Sequence, residues 1–219
     1  MDTTVSKEDY LKAIAEAEAD GETVIAATLV RWLNVTPAAV TMALRRLRRD
    51  GLAVVRKDGR VRLTRKGRGI AERIRFRHHL IERMLSEMFG MEWFKVHEEA
   101  ERLEHAVSAD FEAKLVAKLG ANGSCPHGND IRGDSVAERR SRGLVLLREL
   151  KPGARGTIES LFERDRALLE YFDERGLRPG VRVRVVHLNP DDTIHLEAGA
   201  SAALLGASAA AKIWVRPND

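Results

Sequence analysis

Apolar residues recur at helical spacing through the first third of the chain. Tyr10, Leu11, Ile14 and Ala17 share one face, with Ser6 as the expected N-cap, Asp9 three residues on as its capping-box partner, and Gly21 as the stop. A short apolar run at 24–33 predicts a second helix. Thr36 then offers an N-cap oxygen and Pro37 suits the first helical position. The helix predicted over 37–49 turns Val40, Ala43, Leu44 and Leu47 inward and leaves Ala38, Ala39, Thr41, Met42, Arg45 and Arg46 outward. Two β-prone runs, 52–57 and 60–63, flank Asp58-Gly59, a pair that predicts a type I′ hairpin. Three helices and a basic hairpin form the layout of a winged helix-turn-helix.

Beyond Thr64, a further cap, helical periodicity predicts a long helix over 65–88 that ends before Gly90, then helices over 92–107 and from Ser108 to Leu119. Residues 120–143 are rich in Gly, Asn, Ser and charge and read as a linker around a Cys-Pro-His-Gly element. Short strands follow at 154–161, 181–186, 193–197 and 212–216, with one helix near 165–175. The strict alternation of VRVRVV at 181–186 marks the clearest strand. The fold class expected is mainly α with a smaller β module. The predicted domains are a winged-helix DNA-binding domain at 1–64, a helical metal-binding and dimerisation domain at 65–142, and an SH3-like β-barrel at 143–219.

Composition narrows the function classes. In 219 residues, 44% are hydrophobic and 32% charged, which fits a globular protein, and 5% aromatic content argues against a base-stacking platform for single strands. One cysteine excludes an intramolecular disulfide and a four-cysteine zinc site. No strongly apolar run of membrane-spanning length and no signal peptide are visible, so a cytoplasmic protein without membrane contact is expected. The net charge of +4 is unevenly spread: eleven Lys or Arg against two acids lie between Arg45 and Arg68, and seven acids against two bases between Glu92 and Glu112. That division predicts an anionic partner at one place and a cation at another. On the winged helix, Thr36, Pro37, Ala38 and Ala39 belong to the DNA-binding start of the third helix, whose small outward residues would let it approach a groove closely; Thr41 and Met42 would touch base edges, and Arg45, Arg46, Arg56, Lys57 and Arg60 reach phosphates of double-stranded DNA.

Spacing identifies the candidate cation ligands. His78 and Glu82 are four residues apart, as are His97 and Glu101, and Glu104 and His105 follow Glu101 by three and four. A lone pair of this kind is most often a solvated ion pair. Imidazoles repeated beside an excess of carboxylates on neighbouring helices instead favour a divalent metal. His79 reads as a neighbour-face residue. The helix lacks the H-E-x-x-H zinc-protease motif, and no hydrolase signature is present.

DYLKAI (9–14), TPAAVTMALRRLRRDGL (36–52), LTRKG (63–67), RHHLIERML (77–85), VHEEAERLEHAVS (96–108) and SCPHGNDI (124–131) together resemble the diphtheria-toxin-repressor family of metal-dependent transcriptional regulators. The resemblance continues into GLRPGVRVRVV, which looks like the SH3-like, FeoA-like domain of longer members. It implies a homodimeric repressor that binds palindromic operator DNA when loaded with Mn²⁺ or Fe²⁺. Carried over residue by residue, it places a primary metal site on Asp9, Glu101, Glu104 and His105. An ancillary site falls on His78, Glu82 and His97, with Cys125 and His127 as in longer manganese regulators. The family's C-terminal ligand position falls at Arg164, which makes the adjacent Glu163 and Asp165 the candidates, Glu163 first. Iron-responsive members carry Met and Cys where this chain has Asp9 and Glu101, so the resemblance points to the manganese branch, and oxygen donors suit Mn²⁺ on chemical grounds. Short manganese regulators have Glu where this chain has Lys12, which argues against a two-ion cluster of their kind.

The expected function is a Mn²⁺-dependent dimeric repressor without catalysis, controlling metal-uptake genes. The rivals are an iron-responsive repressor of the same family, a winged-helix regulator that senses an organic ligand, and a carboxylate-bridged di-metal enzyme. The last would want paired Glu-x-x-His motifs, which the sequence lacks.

Overall fold

The computed structural model describes residues 5–218, which divide into two compact units: residues up to Arg77 with Arg132–Val136, and His78–Ile131 with the chain from Ala137 onward. In the first unit α1 (Val5–Ala19), α2 (Ala26–Leu33) and α3 (Pro37–Arg49) precede a two-stranded hairpin of β1 (Ala53–Val55) and β2 (Val61–Leu63). Their core is the predicted one: Tyr10, Leu11, Ile14, Ala17, Val40, Ala43, Leu44 and Leu47 are all buried, with Leu29, Leu52 and Val61. The Thr36 hydroxyl accepts from the Ala39 amide at 3.2 Å, and Pro37 opens α3 as expected.

Two local expectations are corrected. Ser6 is not an N-cap, because α1 already includes Val5. The hairpin is not type I′, which needs positive φ at both central residues. Of Asp58 and Gly59 only Gly59 has it, at 81°. The Gly59 amide donates to the Arg56 carbonyl and the Arg56 amide to the Arg60 carbonyl. The loop is therefore a three-residue turn closed by a left-handed glycine, which leaves Arg56 and Lys57 at an exposed tip.

Thr64 caps α4 (Arg65–Arg83), accepting from the Gly67 amide at 3.1 Å. The chain continues from α4 into a π-helical turn (Met84–Met88) rather than α-helix, and α5 spans only Val96–Leu103, shorter than predicted. Glu104 caps its C-terminus in right-handed helical geometry, so Glu104 and His105 sit past the last full turn. The remaining helix of this region, α6 (Ala109–Leu119), is capped by the Ser108 hydroxyl as predicted.

α7 (Val136–Ser141) interrupts the predicted linker. Six strands then form one antiparallel sheet in the order β3-β8-β4-β5-β6-β7, from β3 (Val145–Leu146), β4 (Arg155–Leu161), β5 (Arg182–Leu188), β6 (Ile194–Ala198), β7 (Ser201–Leu205) and β8 (Ile213–Asn218). Helix α8 (Arg166–Asp173), capped by Asp165, contributes Leu169 and Phe172 to the sheet's core, and the short α9 (Ala207–Ala210) precedes β8. No helix among the described residues is long and apolar enough to cross a membrane.

Candidate metal centre

Three segments of the second unit bring titratable side chains together: α4, α5, and the 124–131 loop with the end of β4. His78, His79 and Glu82 come from α4, and all three are buried. His97 comes from the first turn of α5. The loop carries Cys125 and His127, closed on itself by the Cys125 amide donating to the Asn129 carbonyl and the Gly128 amide to the Cys125 carbonyl. Gly128 lets this loop lie on β4. Its φ is 83°, and a Cβ there would stand 2.0 Å from the Glu159 carbonyl oxygen. The contact falls at the β-bulge between Ile158 and Ser160, and the Leu161 amide donates to the His127 carbonyl at 2.9 Å. Asn129 Nδ2 donates to the Leu161 carbonyl at 3.1 Å and to Glu163 Oε2 at 2.5 Å. That bond delivers Glu163 into the cluster just beyond β4.

His78 is the hub. Its Nδ1 lies 2.7 Å from Glu104 Oε2, and its Nε2 lies 3.1 Å from Glu82 Oε1 and 2.9 Å from His97 Nδ1. His97 Nδ1 is itself 3.0 Å from the same Glu82 oxygen. Three donors thus stand about 3 Å apart, the edge length of an octahedron with metal–ligand distances near 2.1 Å. The other Glu82 oxygen, Oε2, is buried with no hydrogen-bond partner. A fully buried carboxylate oxygen without a donor is costly, and a cation is one partner that would satisfy it. His78, Glu82, His97 and Glu163 offer donor atoms all within 4.8 Å of one another. The residues present therefore fit a divalent ion.

The electrostatics agree. Burial pushes the Glu82 carboxyl up, but the facing His127 and His78 imidazoles outweigh it and hold the group well below its usual range. Burial and the Glu82 charge raise Glu163, yet His79 and His127 bring it well below the usual range too. Burial lowers His127, and the two carboxylates overcome that and lift it to about 10. Burial, with the charges of Glu82 and Glu163, pushes the Cys125 thiol well up. Without a metal, His127 is an imidazolium that partly neutralises the two acids.

The other predicted ligands are placed as follows. Glu104 is buried with its Oε1 3.5 Å from His105 Nε2. Glu101 is exposed, its carboxylate 3.6 Å from Nε2 of the buried His97. Asp9 lies half-buried on α1 of the first unit. Asp165 caps α8 through the Leu168 amide and takes no part in the cluster. Sequence reasoning missed three contributors. Asn129 fixes Glu163. The Trp93 carbonyl accepts from His127 Nε2 at 2.8 Å, which turns Nδ1 inward. His79 is 2% exposed rather than on a neighbouring face, with Nε2 3.2 Å from Glu163 Oε1. The one signal for His79 was its own position, three residues before Glu82.

On the winged helix, residues 36–39, Thr41, Met42, Arg45, Arg46, Arg56, Lys57 and Arg60 are all exposed. Their surroundings sort the basic groups. Arg62 and Arg68 pair with Glu18, Arg49 with Asp50 and Arg60 with Asp58. Arg45, Arg46, Arg56 and Lys57 form no ion pair among the described residues. The Thr41 hydroxyl donates to the Pro37 carbonyl at 2.9 Å, so its donor is already engaged by the helix.

A winged helix joined to a buried carboxylate–imidazole cluster and a small β-sheet defines a metal-responsive DNA-binding regulator. Known families agree. Residues 2–61 match the iron dependent repressor N-terminal DNA binding domain, 64–133 the iron dependent repressor metal binding and dimerisation domain, and 145–217 the FeoA domain. The iron-dependent repressor IdeR of Mycobacterium tuberculosis is 34% identical over 196 residues, 84% of each chain. The diphtheria toxin repressor of Corynebacterium glutamicum is 36% identical over 196 residues, 85% of each. A solved manganese-dependent transcriptional repressor in complex with manganese superposes with a TM-score of 0.86 at 31% identity, covering 97% of this chain and 100% of the other. The manganese regulator SloR gives 0.79 at 26%, covering 97% and 98%. The chain belongs to the diphtheria-toxin-repressor family of metal-dependent transcriptional repressors, which are not enzymes.

Proposed function

We propose that this repressor is activated by Mn²⁺ and binds palindromic operator DNA as a homodimer to control metal-uptake genes. The observation that carries its dependence on a bound ion is the buried, unpartnered Glu82 oxygen beside His78 and His97. The primary ion is held by Asp9, Glu101, Glu104 and His105. The second is held by His78, Glu82 and His97, with Glu163, Cys125 and His127 at the loop side. Oxygen and imidazole donors favour Mn²⁺ over softer ions at the primary position, where iron-type relatives carry a thioether and a thiol. The bound ion supplies positive charge that joins carboxylates distant in sequence. One of these, Asp9, is on α1 of the DNA-reading unit, so metal affinity and DNA affinity are coupled and reciprocal.

At the DNA, Pro37, Ala38 and Ala39 keep the start of α3 slim enough to enter a major groove. Thr36 caps that start, and Thr41 and Met42 meet base edges there. Arg45, Arg46, Arg56, Lys57 and Arg60 neutralise phosphates.

An iron-responsive reading keeps the same architecture and is favoured by the iron-dependent names of relatives 34% identical to this chain. Titration of DNA binding with Mn²⁺, Fe²⁺ and Zn²⁺ under anaerobic conditions separates the two. Activation by Mn²⁺ at lower free concentration than its intrinsic place in the affinity order of divalent ions would give supports the manganese reading, and activation by Fe²⁺ alone rejects it.

A further inference from the structure

The C-terminal sheet carries a charged face that neither the metal cluster nor the winged helix uses. Burial fixes which way each strand points. Gly156 and Ile158 of β4, Val183 and Val185 of β5, and Val215 of β8 are buried, so Arg155, Thr157, Arg182, Arg184, Arg216 and Asn218 stand on the opposite side. The register aligns these in two rows across β8-β4-β5. Asn218, Arg155 and Arg184 form one row, and Arg216, Thr157 and Arg182 the other.

Arg155 therefore faces Arg184 directly across the ladder, and like charges so placed cost stability. Two glutamates relieve only part of the repulsion. Glu197 takes Arg184 through both oxygens, at 2.6 and 2.8 Å, and Glu159 takes Arg216 at 3.0 and 3.3 Å. Arg155 and Arg182 are exposed and form no ion pair among the described residues. They are diagonal neighbours on β4 and β5, a placement that sets Cβ atoms roughly 7–8 Å apart. Between them the Thr157 hydroxyl accepts from Asn218 Nδ2 at 3.3 Å and keeps a proton to donate. Two unpaired guanidiniums flanking a hydroxyl match the oxygens of neighbouring phosphates. A surface that costs stability and lacks enough internal carboxylates to offset it is suited to an external polyanion. In a DNA-binding repressor, the polyanion already at hand is duplex DNA.

We propose that the outer face of β8-β4-β5 is a second DNA-contact surface, on which Arg155 and Arg182, with Thr157 between them, bind backbone phosphates outside the segment read by α3. The contact adds affinity without sequence preference, and it holds whichever metal activates the protein.

Binding of the full Mn²⁺-loaded chain to two duplexes tests this. One is the site selected from a random pool, alone; the other is the same site with flanks of about two helical turns, roughly 20 base pairs, on each side. Wild type is expected to bind the flanked duplex about tenfold more tightly at low salt, with a steeper slope of log K against log salt. Arg155→Gln with Arg182→Gln should lose that gain and lower the slope on the flanked duplex by on the order of one per lost contact in each protomer, leaving the short duplex unaffected. Removing the facing like charges should also leave the melting temperature equal to or above that of wild type, the opposite of what loss of a structural contact does. Should the glutamine pair fail to fold, Arg182→Glu removes one cation, gives Arg155 a carboxylate to pair with, and reads the same loss. Equal affinity of wild type for the two duplexes, or a flank gain that survives in the neutralised variants, overturns the proposal. Loss of binding to anionic lipid vesicles in those variants, with DNA binding unchanged, also overturns it and makes the face a membrane contact.

Discussion

With one oxygen shared between two imidazoles and the other buried without a donor, Glu82 is the side chain that most needs a cation. Glu82→Gln removes the charge but keeps the shape. Mn²⁺ affinity at the second site, followed by the loss of the free-ion paramagnetic resonance signal, should fall by at least the roughly 10- to 100-fold that removal of an outer-sphere partner costs. An unchanged affinity would remove Glu82 from the ligand set. The protonation of the same group of residues predicts a pH profile for the metal-free protein. Glu82 is depressed, so its contribution to stability is complete above its unfolded value of 4.5 and is lost as pH falls through the lower folded value. His127 is raised, so its contribution is complete below its unfolded value of 6.5 and is lost as pH rises through about 10. Thermal unfolding in chelator is therefore expected to show greatest stability between the two unfolded values, declining on the alkaline side well before lysines titrate. A stability that climbs steadily from neutral pH toward pH 10 would contradict the buried imidazolium. The residues of this cluster were legible in sequence where helical spacing or a motif marked them, as with His78 and Glu82. His79 was not, because a helix position beside a ligand gives no sign of which segment packs over it. Glu163 became definite only once Asn129 and the β4 bulge were seen to carry it.

Elements were most legible where a cap and a period agreed. Helix α3 runs over the predicted residues because Thr36, Pro37 and four inward apolar positions all specify the same start and face. Helix α5 ends early at Leu103, and Glu104 just beyond it directs its carboxylate to His78 rather than along a helical stripe. Strand β7 was invisible in SAALL, where alanines blur the alternation that made VRVRVV plain. The SCPHGNDI loop reads as linker by composition, yet it is pinned to β4. Gly128→Ala must adopt a left-handed backbone and place a methyl carbon against a carbonyl oxygen. A loss of about 2–4 kcal/mol in the second unit, read from the denaturant midpoint, is expected. A midpoint unchanged from wild type would mean that the loop does not dock on β4. On the wing, the ion-pair pattern divides the basic residues. Neutralising Arg56 and Lys57 together should lower the slope of log K against log salt by on the order of one per lost phosphate contact in each half-site, whereas Arg60, already paired with Asp58, should contribute less. If the double variant keeps the wild-type slope, the wing tip does not touch the backbone.

At the scale of the molecule, the function depends on one ion speaking to the DNA-reading unit. Asp9 is the proposed link, since it belongs to α1 of that unit while Glu104 and His105 belong to the other. A carboxylate in the first turns of α1 could otherwise serve only as a helix-end charge, worth about 0.3–1 kcal/mol. An ion that does not discriminate between two states of a protein cannot shift them, however tightly it binds. The decisive measurement is the affinity for a duplex selected from a random pool by the Mn²⁺-loaded protein, determined with and without saturating Mn²⁺ at fixed salt, for wild type and Asp9→Asn. A large metal-induced gain is expected in wild type, and a folded Asp9→Asn dimer should retain residual Mn²⁺ and weak non-specific DNA binding while losing most of that gain. Equal metal-induced gains in the two proteins would contradict the proposed link.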